Sequence, residues 1–149
     1  MRMNARMKRL TSAGLPYAPQ LHPSLVKFAE RGLVRIGDCI VFRGERDNGS
    51  EFPDSTGYEC FANHIHIDDF VSQRNPSIMF EQAVALAAFL NQQLRAIAPN
   101  LAFRYIISLD SDGGCTFRFH TVRAGEEWGT NGLEGYKEEA IAVIESSDL

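Results

Sequence analysis

The chain lacks long apolar runs: its longest, Ala83 to Leu90, is eight residues, well short of the roughly 20 that cross a bilayer as a helix. No membrane segment is expected. It is also poor in cysteine. Cys39, Cys60 and Cys115 form no close pair, and an odd count spread over predicted strands points to reduced, buried thiols rather than a disulfide framework. The start, MRMNARMKRL, is basic but has no apolar core of a secretory signal, so a cytoplasmic location is expected. Residues 1–15 show no apolar period either and read as a disordered basic arm. A single α+β domain is assigned to 16–149, since 149 residues with 44% apolar content build one core.

The strongest local pattern is AFRYIISLDSDGGCTFRFHTV, residues 102–122. Two stretches of strict alternation flank Asp110-Ser111-Asp112-Gly113-Gly114, a cluster suited to a short hairpin loop. Phe103, Tyr105, Ile107, Leu109, Phe117 and Phe119 share one face and predict core. Arg104, Ile106, Ser108, Arg118 and His120 share the other, which reads as open to water or a partner. The acidic loop is not a calcium site, because its twelfth position is Thr121 rather than a closing Glu.

Around this hairpin, Pro23 at a helix start and Gly32 at its end predict a short helix of about nine residues. Leu33 to Arg43 reads as strand, broken at Gly37-Asp38 by a hairpin turn or a bulge. Residues 44–57 read as a polar loop, and Tyr58 to Ile67 as another alternating strand. Asn75-Pro76 opens a helix expected to reach about Ala98, with Phe80, Ala83, Val84, Ala87, Leu90, Leu94 and Ile97 on one face. Asn131 and Glu134 have the form of a capping box before a last helix through Leu133, Tyr136, Ala140, Val143 and Ile144. The fold class is therefore α+β, an antiparallel sheet of four to five strands with helices packed on one face.

The net charge of −4 conceals an asymmetry. Residues 1–10 hold four bases and no acid, leaving 11 bases against 19 acids, and residues 125–149 carry seven acids against Lys137 alone. Such a body repels nucleic acid and favours a basic protein. Trp128, the one tryptophan, lies between acids and three glycines. It is either an anchor for a partner or a side chain folded back to close the core. Glu126, Glu127, Trp128, Glu134 and Glu138 are the candidate partner-binding residues.

Chemistry is harder to find. His64 and His66 on a strand would project together, and His120 could complete a metal site on the same sheet face, with Arg104 and Arg118 at its rim. This is the alternative reading, a small metal- or ligand-binding enzyme. Neither His64-Ile65-His66 nor His120-Thr121-Val122 fits the His-x-Ser/Thr repeat of 2H phosphoesterases. Cys115 has no neighbouring base or helix start to activate it. No cofactor is expected.

In size, acidity and the segment GEEWGTNGLEGYKEE (125–139), the chain resembles the broad class of bacterial immunity proteins. That resemblance implies a non-enzymatic protein that neutralises a cognate basic toxin domain, often a nuclease, by binding it directly.

Overall fold

The computed structural model describes residues 1–11, 20–44, 51–129 and 132–149. Its centre is the expected hairpin, β5 (Phe103–Leu109) and β6 (Cys115–Thr121), antiparallel from Phe103↔Thr121 to Leu109↔Cys115. Asp110 closes the loop by accepting the Asp112 and Gly114 N–H groups at 2.9 and 2.7 Å. Gly113, at φ +84°, sits where a Cβ would meet the Arg74 carbonyl, so the turn requires glycine.

Helix α4 (Pro76–Ile97) begins as expected: Pro76 occupies the first turn and Asn75 Oδ1 accepts from Ser77 and Ile78 N–H. It lies across the sheet face formed by Phe103, Tyr105, Ile107, Leu109, Phe117 and Phe119, burying Phe80, Ala83, Leu86, Leu90 and Leu94 in one core. Each large side chain so buried stabilises the fold by about 1.5–3 kcal/mol. The short helix α2 (Pro23–Ala29), seven residues long, packs beside α4.

With β1 (Arg2–Met3), β4 (Ile65–His66) and β7 (Ala140–Glu145), the strands form a five-stranded antiparallel sheet in the order β1-β7-β5-β6-β4 and a separate two-stranded sheet. The α+β expectation holds. β2 (Leu33–Ile36) and β3 (Cys39–Phe42) make the small sheet with a two-residue turn at Gly37 and Asp38, which decides the open question in favour of a hairpin.

Three expectations are corrected. The first is the strand at Tyr58 to Ile67, the first half of which belongs to helix α3 (Ser55–Ala62), capped by Asp54 accepting from Gly57 N–H at 2.6 Å. Only β4 (Ile65–His66) remains extended, paired to β6 through Ile65↔Phe117 and His66↔Thr116. Two polar side chains of α3 face inward. Glu59 accepts from the N–H groups of Ile40 and Thr121, from Thr121 Oγ1 and from Arg123 Nη1, at 2.6–3.0 Å. Asn63 accepts from Phe42 N–H and donates to the carbonyls of Ile40 and Phe119. The peptide groups of β3 and of β6 are thereby joined through side chains instead of through an intervening strand.

The second is the last helix. Its residues form β7 (Ala140–Glu145), paired to β5 on one side and to β1 (Arg2–Met3) on the other. Ala140 to Ile144 are all buried, so this strand shows a continuous apolar run rather than alternation. Glu134 lies in a single 3-10 turn, Leu133–Gly135. Asn131, the expected cap, lies outside the described residues.

The third is the N-terminal arm. Residues 1–11 belong to the fold; 12–15 lie outside the described residues. Helix α1 (Ala5–Leu10) follows β1, with Asn4 capping Met7 N–H and holding β7 through Ile141 N–H and the Glu139 carbonyl. Met7 is fully buried in the main core. Charge brings the segment in: Arg2 meets Glu145, and the Met1 amino group lies 2.8 Å from Asp148.

Two outcomes are expected from urea denaturation. Met7→Ala lowers stability by about 2–5 kcal/mol, as truncation of a buried methionine does; a midpoint equal to that of the wild type would return the arm to disorder. Glu59→Ala costs about 3–5 kcal/mol because it leaves the Ile40 and Thr121 N–H groups without partners and takes from Arg123 its buried carboxylate, so that only Asp38 remains to balance its charge, whereas Glu127→Ala, at an exposed position, changes stability by no more than about 0.5 kcal/mol.

Candidate functional site

The sheet face away from α4 is built by β6, β5, β7 and β4. In this register Thr116, Arg118 and His120 of β6 lie beside Ser108, Ile106 and Arg104 of β5, and His66 is added opposite Thr116. The face is not open throughout. Ile106, Ile141 and Val143 pack with Cys60 of α3 in a second core, covered by Trp128, Leu133 and Tyr136. The covering segment is delivered by a turn after Arg123, which bridges to Glu126, and Glu126 accepts from Thr56 N–H at the start of α3 at 2.9 Å.

Trp128 thereby reaches the sheet. Its ring stacks on Tyr136 with centroids 6.0 Å apart and planes parallel to within 1°. The Arg118 guanidinium carbon lies 5.9 Å from the indole centroid, an arrangement in which the ring quadrupole attracts the cation. On its other side Arg118 Nη2 stands 3.5 Å from His64 Nε2, and the His64 and His66 rings are 4.9 Å apart. Arg118 thus joins the tryptophan segment and the histidine pair, two separate candidates in the sequence, into one half-exposed strip.

The other candidates divide. Glu126 and Glu134 serve their own chain, Glu134 Oε1 by accepting Ala5 N–H at 3.0 Å. Glu127 and Glu138 are exposed and make no side-chain hydrogen bond or ion pair among the described residues, and Glu139, which sequence reasoning missed, joins them. Trp128 closes a core and keeps an exposed edge, so both readings of it have a share.

His120 does not join the histidine pair. Four residues along β6 from the position opposite His66, it is displaced by about 13 Å along the strand, and it is 1% exposed. Its Nδ1 lies 2.8 Å from the Thr121 carbonyl and its Nε2 has no partner; burial depresses its basicity. Among the described residues no three His, Cys, Asp or Glu side chains converge as a metal would need. Burial also raises the thiols, Cys39 to about 11 and Cys60 to about 12, which leaves them protonated at neutral pH.

Beside the strip, at the loop end of the β5–β6 hairpin, is a cleft of about 390 Å3 that Ser108, Thr116, Arg118, His66 and Glu139 help to line. Burial pushes the Asp68 carboxyl at its wall up, but the Cys115 N–H it accepts, with His66 and Arg74 nearby, holds it below the usual carboxylate range.

The sequence matches, over residues 2–149, the model of a family described as the Uncharacterized protein PM0498 family. Uncharacterized protein PM0498 of Pasteurella multocida is 30% identical over 107 residues, covering 62% of this chain. The chain spans 65% of the length of that curated relative. No solved structure matches.

The position of His64 has a consequence in pH. Burial, then Arg118 and His66, lower its pKa to about 4, whereas an imidazole in an unfolded chain titrates near 6.5. Between these values the unfolded chain binds more protons, so stability falls as pH drops from about 6.5 towards 4. The low-lying carboxyls of Asp68 and Asp148 lose their contribution only below that window, as pH falls under about 4. We expect urea midpoints measured at pH 7, 5.5 and 4.5 to decline, and His64→Gln to reduce the decline; buried His120, shifted the same way, keeps part of it. An unaltered slope in the variant would show that His64 is not held neutral.

Proposed function

The chain belongs to the Uncharacterized protein PM0498 family, and we propose that it acts by binding a basic protein and neutralising it, as an immunity protein does a toxin domain, without catalysing a reaction. The observation that carries this reading is that Glu127, Glu138 and Glu139, exposed and without a side-chain hydrogen bond or ion pair among the described residues, flank in the chain the half-buried Trp128 and Tyr136, whose rings stack. Unpaired carboxylates steer a basic surface inwards and raise the encounter rate. A rigid aromatic pair at the centre supplies contact area with little side-chain entropy to lose, the usual character of an interface hot spot. The same charge disfavours nucleic acid, whose phosphates would meet carboxylates before any base. No helix among the described residues is long and apolar enough to cross a membrane, and the proposed place of action is the cytoplasm.

The partner to test is a basic domain encoded beside this gene, prepared separately, with binding followed by stopped flow at several salt concentrations. Reversing Glu127 and Glu138 to Lys slows association about tenfold at low salt and flattens its salt dependence, because steering charges act on encounter. Trp128→Phe keeps the core covered and raises the dissociation rate instead. Association that is indifferent to both charge reversal and salt would overturn the acidic-surface reading.

A further inference from the structure

We propose that the cleft at the loop end of the β5–β6 hairpin receives a guanidinium group, the side chain of an arginine on the bound partner. This rests on the protein-binding reading and names the chemistry that the site would take.

The first argument is charge. Asp68, Asp110, Asp112 and Glu139 line the cleft against two cations, Arg74 and Arg118, with His66 beside them. Both cations have partners of their own. Arg74 lies 4.0 Å from Asp68, and Arg118 is held between Trp128 and His64. Asp68 is taken by the Cys115 N–H and Arg74, and the other three acids keep free acceptor capacity. Asp110 uses Oδ1 for both of its loop N–H bonds, Asp112 takes the Ser111 hydroxyl on one oxygen, and Glu139 makes no side-chain hydrogen bond or ion pair among the described residues. The lining therefore carries an excess of two negative charges.

The second argument is independent of charge. Ser108 lines the same cleft, is 7% exposed, and its Oγ has no hydrogen-bond partner among the described residues. A buried hydroxyl without a partner is uncommon in folded proteins and marks a position that another group completes. Ser108 sits opposite Thr116 in the register, so two hydroxyl-bearing side chains lie together on the sheet while carboxylates stand around them. A lysine ammonium carries its three donors on one nitrogen, so the acceptors it meets must converge on a single point. A planar guanidinium with five donors in a fixed fork can meet carboxylates with one edge and a hydroxyl with the other. The distribution of acceptors thus favours arginine over lysine.

The test uses the full chain, labelled with 15N and titrated with N-acetyl-L-arginine amide, N-acetyl-L-lysine amide and N-acetyl-L-glutamate. The arginine probe is expected to move the amides of Ser108, Asp112, Gly114 and Thr116 saturably, at least about threefold more tightly than the lysine probe. Glu139→Gln, at an exposed position that leaves folding intact, weakens the arginine probe about fivefold by removing a charge-assisted bond, and Ser108→Ala narrows its advantage over lysine. Equal binding of the two cationic probes, shifts produced by the glutamate probe alone, unaltered affinity in both variants, or no saturable shift would each overturn the assignment. The titration needs no partner protein. A silent cleft therefore sinks this inference by itself, while the association rates decide the binding reading.

Discussion

The buried carboxylate of Glu59 is the interaction on which the rest of the structure depends. A fully buried charge is tolerated only where charge-assisted bonds replace water, and Glu59 has four: two strand N–H groups, a threonine hydroxyl and the Arg123 guanidinium. With Asn63 one turn later it satisfies peptide groups along β3 and β6 that would otherwise be strand edges without partners. The consequence extends beyond the two sheets. Fixing Arg123 fixes the start of the turn that follows it, the bridge from Arg123 to Glu126 sets where that turn ends, and Trp128 is placed two residues later. The position of the exposed aromatic edge is thus determined by a carboxylate in the interior.

A second constraint works through charge on the surface. Of the acids near the C-terminus, Glu145 meets Arg2 and Arg104, Asp148 meets the Met1 amino group, and Glu126 and Glu134 accept backbone N–H groups. Docking of the basic N-terminal segment along β7 neutralises one side of the acidic region. Among the described residues, those acids of the region left without a hydrogen bond or ion pair are Glu127, Glu138 and Glu139. A diffuse acidity in the sequence becomes a local feature in the fold, and a local feature can orient a partner where a diffuse one only attracts it.

The elements legible in the sequence were those whose local signals agree with their tertiary setting. The β5–β6 hairpin has alternation, a glycine-bearing loop and one buried aromatic face; α4 has a cap, a proline in its first turn and a long apolar stripe. Elsewhere the signals conflict. α3 turns Glu59 and Asn63 inward, so its buried stripe contains polar residues and its sequence imitates a strand; Asp54 as a cap was the signal that could have revealed it. β7 is buried on both faces, and a short apolar run has no period by which to tell strand from helix. The arm has one buried methionine and an asparagine cap, too little for any pattern, and its order comes from pairing with the far end of the chain.

The candidate site was legible in pieces and not as a whole, for the same reason. His64 and Trp128 are brought together only because β4 pairs with β6 and the segment after Arg123 folds over the sheet, and neither fact can be read from spacing. Arg118 is the residue that both facts converge on. Its guanidinium has one face toward indole and an N–H toward an imidazole that burial and charge keep neutral, and a neutral imidazole can accept where a protonated one could only repel. Substitutions at Trp128 and His64 therefore act on a shared partner and are not independent in the way that distant surface sites are. The strip behaves as one unit whose aromatic part offers contact area and whose histidine part is held by the same cation, with the acceptor-lined cleft at its end.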